Sequence, residues 1–190
     1  MGTKWLTLFL LLILFSGFAT AAKVGGVLLP QTLTASDQIL TLNGAGIRKK
    51  FFIKLYVSAL YLQDKSNNAV AIIEGDAPMA IRLSIISSLI NSKKMEKATR
   101  EGFENSTHGN TEPVKAEIEQ FIEVFRKPVS EGDVYDLVYT PAKGTEVIKN
   151  EHLITTVEGL DFKKALFGIW LSDRPAHNNL KGMMLGMENQ

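Results

Sequence analysis

The chain has no cysteine. That excludes disulfides, thiol chemistry, Cys-ligated metal and a lipid-modified N-terminal Cys, and leaves the hydrophobic core to hold the fold. Histidine is scarce. His108, His152 and His177 share no metal-ligand spacing and read as solvated loop residues, so no metal site is expected. One of them as a haem ligand stays open as an alternative. An excess of charge is also missing, with 21 Lys and Arg against 20 Asp and Glu. Overall neutrality gives no electrostatic argument for nucleic acid or for an anionic membrane surface. The chain lacks G-x-S-x-G, H-E-x-x-H, a P-loop and a dinucleotide fingerprint. Gly44-Ala45-Gly46 resembles part of the last, but has no third glycine and is followed by a strand pattern.

Long apolar runs are absent too. The longest, Trp5–Phe15, has eleven residues, against the ~20 needed to span a bilayer. It follows a short start with one positive charge, Lys4, and precedes small residues ending in Ala19-Thr20-Ala21. That is the layout of a secretory signal peptide over residues 1–21, cleaved after Ala21. The expectation is a periplasmic or secreted protein with no stable membrane anchor and one domain over residues 22–190.

Within that domain, Val27–Leu33 and Ile39–Leu42 read as short strands, and Asn43–Gly46 as a turn. Arg48–Leu62 is rich in aromatic and branched residues, has no glycine or proline, and predicts one long strand. Alternation along it puts Phe51, Ile53, Leu55, Val57, Ala59 and Tyr61 on a core face, with Arg48, Lys50, Phe52, Lys54, Tyr56 and Ser58 opposite. Met79–Ser87 predicts a further strand. Asn91–Asn105 predicts a helix capped by Asn91 or Ser92, and Pro113–Lys127 another, with Ile118, Phe121, Ile122 and Phe125 on one stripe. Val134–Thr140, Glu146–Lys149 and Leu153–Val157 read as an antiparallel meander. Asp161 is expected to cap a helix with an apolar stripe from Phe162 to Trp170, and Leu180–Met187 makes a last Met-rich segment. The order of elements predicts an α+β domain, with helices packed on one face of an antiparallel sheet.

Few residues offer chemistry. Glu117, Glu119 and Glu123 lie opposite an apolar stripe and read as a solvated face. Arg48 and Tyr56 share a strand face but, on a straight strand, stand about 26 Å apart. Spacing alone therefore favours separate structural roles for the two, unless a bend or bulge brings them together.

GAGIR (44–48), LYVSALYL (55–62) and FKKALFGIWLSDRPA (162–176) resemble the chalcone isomerase-like superfamily, most closely its bacterial exported branch. The resemblance implies an open-faced β-sandwich. In the plant enzymes the arginine of the first motif lines a cleft and polarises the substrate, and Arg48 matches it. A threonine that helps activate the ketone matches Tyr56. A tyrosine and an asparagine on the following helix match Lys94 and Glu101, and a late hydroxyl residue falls near Gly168 or Ile169. Only the arginine of that set is kept, which argues against chalcone cyclisation.

The pattern is closer to the non-catalytic fatty-acid-binding members, where the arginine and a tyrosine of a Y-x-x-G-x-Y-like segment hold the ligand carboxylate. Here that segment is Tyr56–Tyr61, with Ala59 in place of glycine. The resemblance thus implies a binding protein for a small amphipathic acid, with Arg48, Tyr56, Lys94 and Glu101 as ligand-binding residues. Phe52, Leu166, Ile169, Trp170 and Met183 are the expected wall of an apolar cleft. An isomerase acting on an unknown carbonyl compound, a haem-binding protein, and an envelope protein with a purely structural Arg48 are the alternatives. No cofactor is required by the leading reading.

Overall fold

Stretches with a two-residue apolar period pair side by side in chain order. A computed structural model describes residues 21–187; of the expected signal peptide only Ala21 falls among them. A small hairpin, β1 (Ala21–Val24) and β2 (Val27–Pro30), comes first. Seven further strands form one antiparallel sheet in sequential order: β3 (Thr32–Ala35), β4 (Gln38–Lys50), β5 (Ile53–Leu62), β6 (Met79–Ile85), β7 (Val134–Thr140), β8 (Gly144–Lys149) and β9 (His152–Val157). The expected run Val27–Leu33 is therefore divided between β2 and β3.

The helices are α1 (Ala69–Glu74), α2 (Ser92–Ser106), α3 (Lys115–Ile122), α4 (Leu160–Leu171) and α5 (Asn178–Met184). Asn91 caps α2, its side chain accepting the Lys94 N–H at 3.0 Å. The expected 113–127 helix is α3 continued at both ends by 3-10 turns, Glu112–Val114 and Glu123–Arg126. Gly159, not Asp161, stands at the N-cap of α4, and Asp161 lies in the first turn, where its charge suits the helix dipole.

Both faces of the sheet are covered, and two hydrophobic clusters result. The larger lies under the helices and joins Leu60, Ile81, Leu83 and Leu137 from the sheet to Phe103, Phe121, Phe162, Leu166 and Phe167. Phe121 sits at the centre of a group of rings with Phe103, Phe125 and Phe162 at centroid separations of 5.7–6.1 Å. The smaller lies on the opposite face, where Leu29, Leu40, Val57, Ala59 and Tyr61 are shut off from solvent. The β1–β2 hairpin adds Ala22, Val24 and Val27 to that second core. The result is the expected α+β domain, a large curled antiparallel sheet with helices on one face.

Two expectations at the front of the sheet are corrected. Residues 48–62 are a hairpin rather than one strand. The chain reverses at Phe51-Phe52, with Phe51 at φ 54°, so a bulky residue supplies the left-handed conformation usually left to Gly or Asn. Asn43–Gly46 is no turn but the middle of β4, carrying a β-bulge between Leu42 and Gly44. A second bulge lies on β5 at Leu55, because Arg48 pairs with Tyr56 while Lys49 pairs with Lys54.

The glycines of β4 have a packing reason. A Cβ on Gly44 would run into the Met183 carbonyl and lie 2.7 Å from the Met184 carbonyl and 2.9 Å from Gly186 N. Asn43 bonds the same turn, its amide donating to Met184 O at 2.9 Å and to Ser66 O at 3.0 Å. The end of α5 thus lies directly on the β4 backbone. Elsewhere Lys163, fully buried on α4, donates to the carbonyls of Ile72, Ile73 and Gly75 at 2.7–2.8 Å and closes the C-terminus of α1. Burial pushes its ammonium down to about 8, with Glu74 and Asp76 pulling it back up.

Two substitutions test these contacts. Gly44→Ala must displace the backbone after α5 and should destabilise by about 2–4 kcal/mol, while Ala45→Gly should cost about 1 kcal/mol or less. Lys163→Met leaves three carbonyls without their donor and should cost about 2–4 kcal/mol. Urea unfolding reads both; wild-type stability in Gly44→Ala would show that α5 is not held against β4.

Candidate functional site

The hairpin that replaces the expected long strand also removes the distance between Arg48 and Tyr56. They are direct cross-strand partners on β4 and β5, so their side chains leave one face of the sheet side by side. Beyond the Asn43 bulge, Ala45 and Ile47 point to the second core, and Gly44, Gly46 and Arg48 to the helices.

On that helix side is a cavity of about 670 Å³, within the range of small-molecule sites. The sheet contributes Arg48, Leu55, Tyr56 and Leu83. The loop before α2 contributes Leu89 and Ile90, and α4 contributes Ile169 and Trp170. One stripe of α2, Met95, Ala98, Thr99 and Gly102 at i, i+3, i+4 and i+7, faces into it. Small residues on that stripe leave the space unfilled. Gly102 also lets α4 approach, since a Cβ there would lie 2.8 Å from Ile169.

The polar groups of the cavity are few. Trp170 donates its indole N–H to the Tyr56 hydroxyl at 3.2 Å, which leaves the phenol O–H available to donate. Burial raises the Tyr56 pKa above its ordinary value, opposed by the Trp170 hydrogen bond and by the Arg48 guanidinium, so the phenol stays protonated at neutral pH. Arg48 donates to the neighbouring Lys49 carbonyl and is in no ion pair among the described residues. At the rim, Lys94 donates to Leu89 O at 2.8 Å, and Glu101 faces Lys97 at 3.7 Å on the exposed side of α2.

Of the nine expected site residues, Arg48, Tyr56, Lys94, Glu101, Ile169 and Trp170 line this cavity, and three lie elsewhere. Phe52 is 100 % exposed at the tip of the β4–β5 turn. Leu166 faces the main core, one helical step from the wall. Met183 packs against Gly46 on β4. Leu55, Leu83, Ile90 and the α2 stripe went unforeseen, although the spacing of Met95, Ala98, Thr99 and Gly102 is itself a legible signal of a helix face built for space. No histidine is among the lining residues: His177 caps α5, His108 faces Asp173 at 3.3 Å and His152 contacts its own turn.

A family model described as chalcone isomerase-like matches residues 21–186. No curated protein matches by sequence. Among solved structures the chain is similar to the fatty-acid binding protein of Arabidopsis thaliana, with a TM-score of 0.67 and 15 % identity over 84 % of this chain and 92 % of that one. That likeness is one of fold.

Trp170 offers a direct readout, since the other tryptophan, Trp5, is in the leader-like segment. In a chain starting at Ala22, all indole emission comes from the cavity wall. Tyr56→Phe removes the acceptor of its N–H and should shift that emission and cost about 1 kcal/mol of stability. Unchanged emission would mean that the Trp170–Tyr56 contact does not persist in solution.

Proposed function

The chain belongs to the chalcone isomerase-like family, and from that premise we propose that it is a non-catalytic binding protein for a fatty-acid-like amphipathic carboxylate. The observation that carries this reading is Arg48 standing across from Tyr56 at an apolar cavity, with no carboxylate among the described residues paired to it. A guanidinium and a phenol O–H together match a carboxylate. The apolar surface of Leu55, Leu83, Ile90, Met95 and Ile169 suits an acyl chain. The structurally similar Arabidopsis protein is a fatty-acid binding protein, which supports the same class of ligand. The leader-like segment, if cleaved as its pattern implies, puts the carrier in the periplasm or outside the cell.

Arg48 and Tyr56 would also polarise a ketone, as an isomerase needs. The carboxylate among the lining residues, Glu101, is exposed at the rim beside Lys97, an arrangement that serves solubility better than proton transfer.

Binding followed by Trp170 emission tests the proposal. Saturated acids should bind more tightly by about fourfold per added methylene until the cavity is full, from ~0.8 kcal/mol per buried CH₂. Arg48→Ala should weaken the acid by about 10- to 100-fold, the worth of a charge-assisted hydrogen bond or two, and leave the alcohol of equal length unchanged. Equal losses for acid and alcohol would overturn the carboxylate role. Native mass spectrometry of protein purified gently should show a bound acid on the wild type and none on Arg48→Ala.

A further inference from the structure

The turn that brings Arg48 to Tyr56 is exposed in an unusual way. Phe51 is 87 % exposed, Phe52 100 % and Ile53 44 %, and Leu89 on the facing loop is 49 % exposed. Around them, residues 48–54 read Arg-Lys-Lys-Phe-Phe-Ile-Lys, with no acidic residue. Lys49, Lys50 and Lys54 are all surface residues, and among the described residues none of them is in an ion pair. The chain's overall neutrality conceals this local concentration of positive charge.

A second observation concerns the backbone. Phe51 takes φ 54° in a two-residue turn, a conformation that Gly or Asn would adopt with less strain. A side chain that breaks the local rule and stays largely exposed has its reason outside the fold. The third is position. Lys50, Phe51, Ile53 and Leu89 border the cavity, so whatever the tip inserts into lies at the cavity's mouth.

We propose that the β4–β5 tip docks the protein onto anionic phospholipid bilayers, with Phe51 and Phe52 entering the interface and Lys49, Lys50 and Lys54 meeting headgroup phosphates. Aromatic rings flanked by cations suit the boundary between acyl chains and charged headgroups. A two-residue tip is too small for a stable protein–protein interface, which needs roughly 800 Å² per partner, but insertion into a fluid interface asks for no complementary surface. Docked in this way, the cavity opens toward the bilayer, and an amphipathic ligand passes between membrane and cavity without crossing water. The docking surface stands on exposure and charge, independently of what the cavity holds.

Vesicle flotation tests it, using the chain from Ala21 onward, which contains every described strand and helix and both cores. The wild type should float with phosphatidylcholine vesicles containing phosphatidylglycerol, should bind vesicles of phosphatidylcholine alone far less, and should be released as salt is raised. Phe52→Ser should weaken partition by at least about tenfold, the worth of burying one aromatic side chain, and Phe52→Trp should retain it. The Lys49→Gln, Lys54→Gln double variant should lose the preference for anionic vesicles. Phe52, Lys49 and Lys54 lie outside the cavity lining, so acid binding followed by Trp170 emission reports separately on the proposed ligand. Wild type that fails to float, or Phe52→Ser that floats as well as wild type, would overturn the proposal. So would concentration-dependent dimerisation that Phe52→Ser abolishes without vesicle binding, which would assign the tip to a second copy of the chain.

Discussion

Side-chain parity is the constraint on which the site depends. A strand alternates its faces with a period of two, so an uninterrupted β4 carrying Leu40 and Leu42 into the second core would send Ile47 to the other face. The bulge at Asn43 resets the count. Leu40, Leu42, Ala45 and Ile47 then all serve the second core, and Gly44, Gly46 and Arg48 all face the helices. The bulge at Leu55 does the same for β5, letting both Leu55 and Tyr56 border the cavity while Val57, Ala59 and Tyr61 close the second core. Two inserted residues thus separate the layer that stabilises the sheet from the pair that looks into the cavity.

The first bulge is fixed by what lies on it. Asn43, left unpaired in the ladder, turns its amide to Ser66 and Met184, and Gly44 and Gly46 let the end of α5 sit against the strand. The motif that resembles a family signature therefore has a mechanical reading: asparagine staples, glycines make room, and arginine follows at the first position beyond α5 that opens to the cavity. The cavity survives because α2 presents Ala98, Thr99 and Gly102 where larger residues would fill it. The aromatic group around Phe121 carries the packing a few residues away.

Much of this was legible in the sequence where period and punctuation agree. The β7–β9 meander, α2 with its Asn91 cap and the stripe of α4 follow from alternation, capping and helical spacing. The front of the sheet was not, because its punctuation is inverted. Glycines, which ordinarily mark turns, sit in mid-strand to admit a helix, and the turn is made by two phenylalanines. A residue read as cavity wall, Phe52, is for the same reason the most exposed aromatic among the described residues. Leu166 and Met183 lie on the right elements but face the core and β4, a choice that depends on helix rotation and that sequence spacing leaves open. The family resemblance supplied what spacing could not, the meeting of Arg48 with Tyr56.

The chain itself provides the comparison that gives Arg48 its meaning. Its other sheet arginine, Arg82, faces the opposite side and is held bidentately by its cross-strand partner Asp136 at 2.6 and 2.8 Å. A structural arginine on this sheet is thus matched by a carboxylate of the protein. Arg48 has a phenol as its cross-strand partner instead, beside an apolar space wide enough for a ligand. Because that space is open, the guanidinium keeps its hydration while the cavity is empty, and folding bears no cost of an unpaired buried charge. On the proposed reading, an entering carboxylate would exchange water for the fork and the phenol at a gain smaller than that of the acyl chain, and without Arg48 it would be buried unpaired. The chain would then supply most of the affinity and Arg48 the selection. Such a division of labour suits a carrier. Binding strength would then be set by how much chain the cavity covers, and release would need only a surface that accepts the same chain, which the proposed docking of the apolar, cationic tip at the mouth would supply.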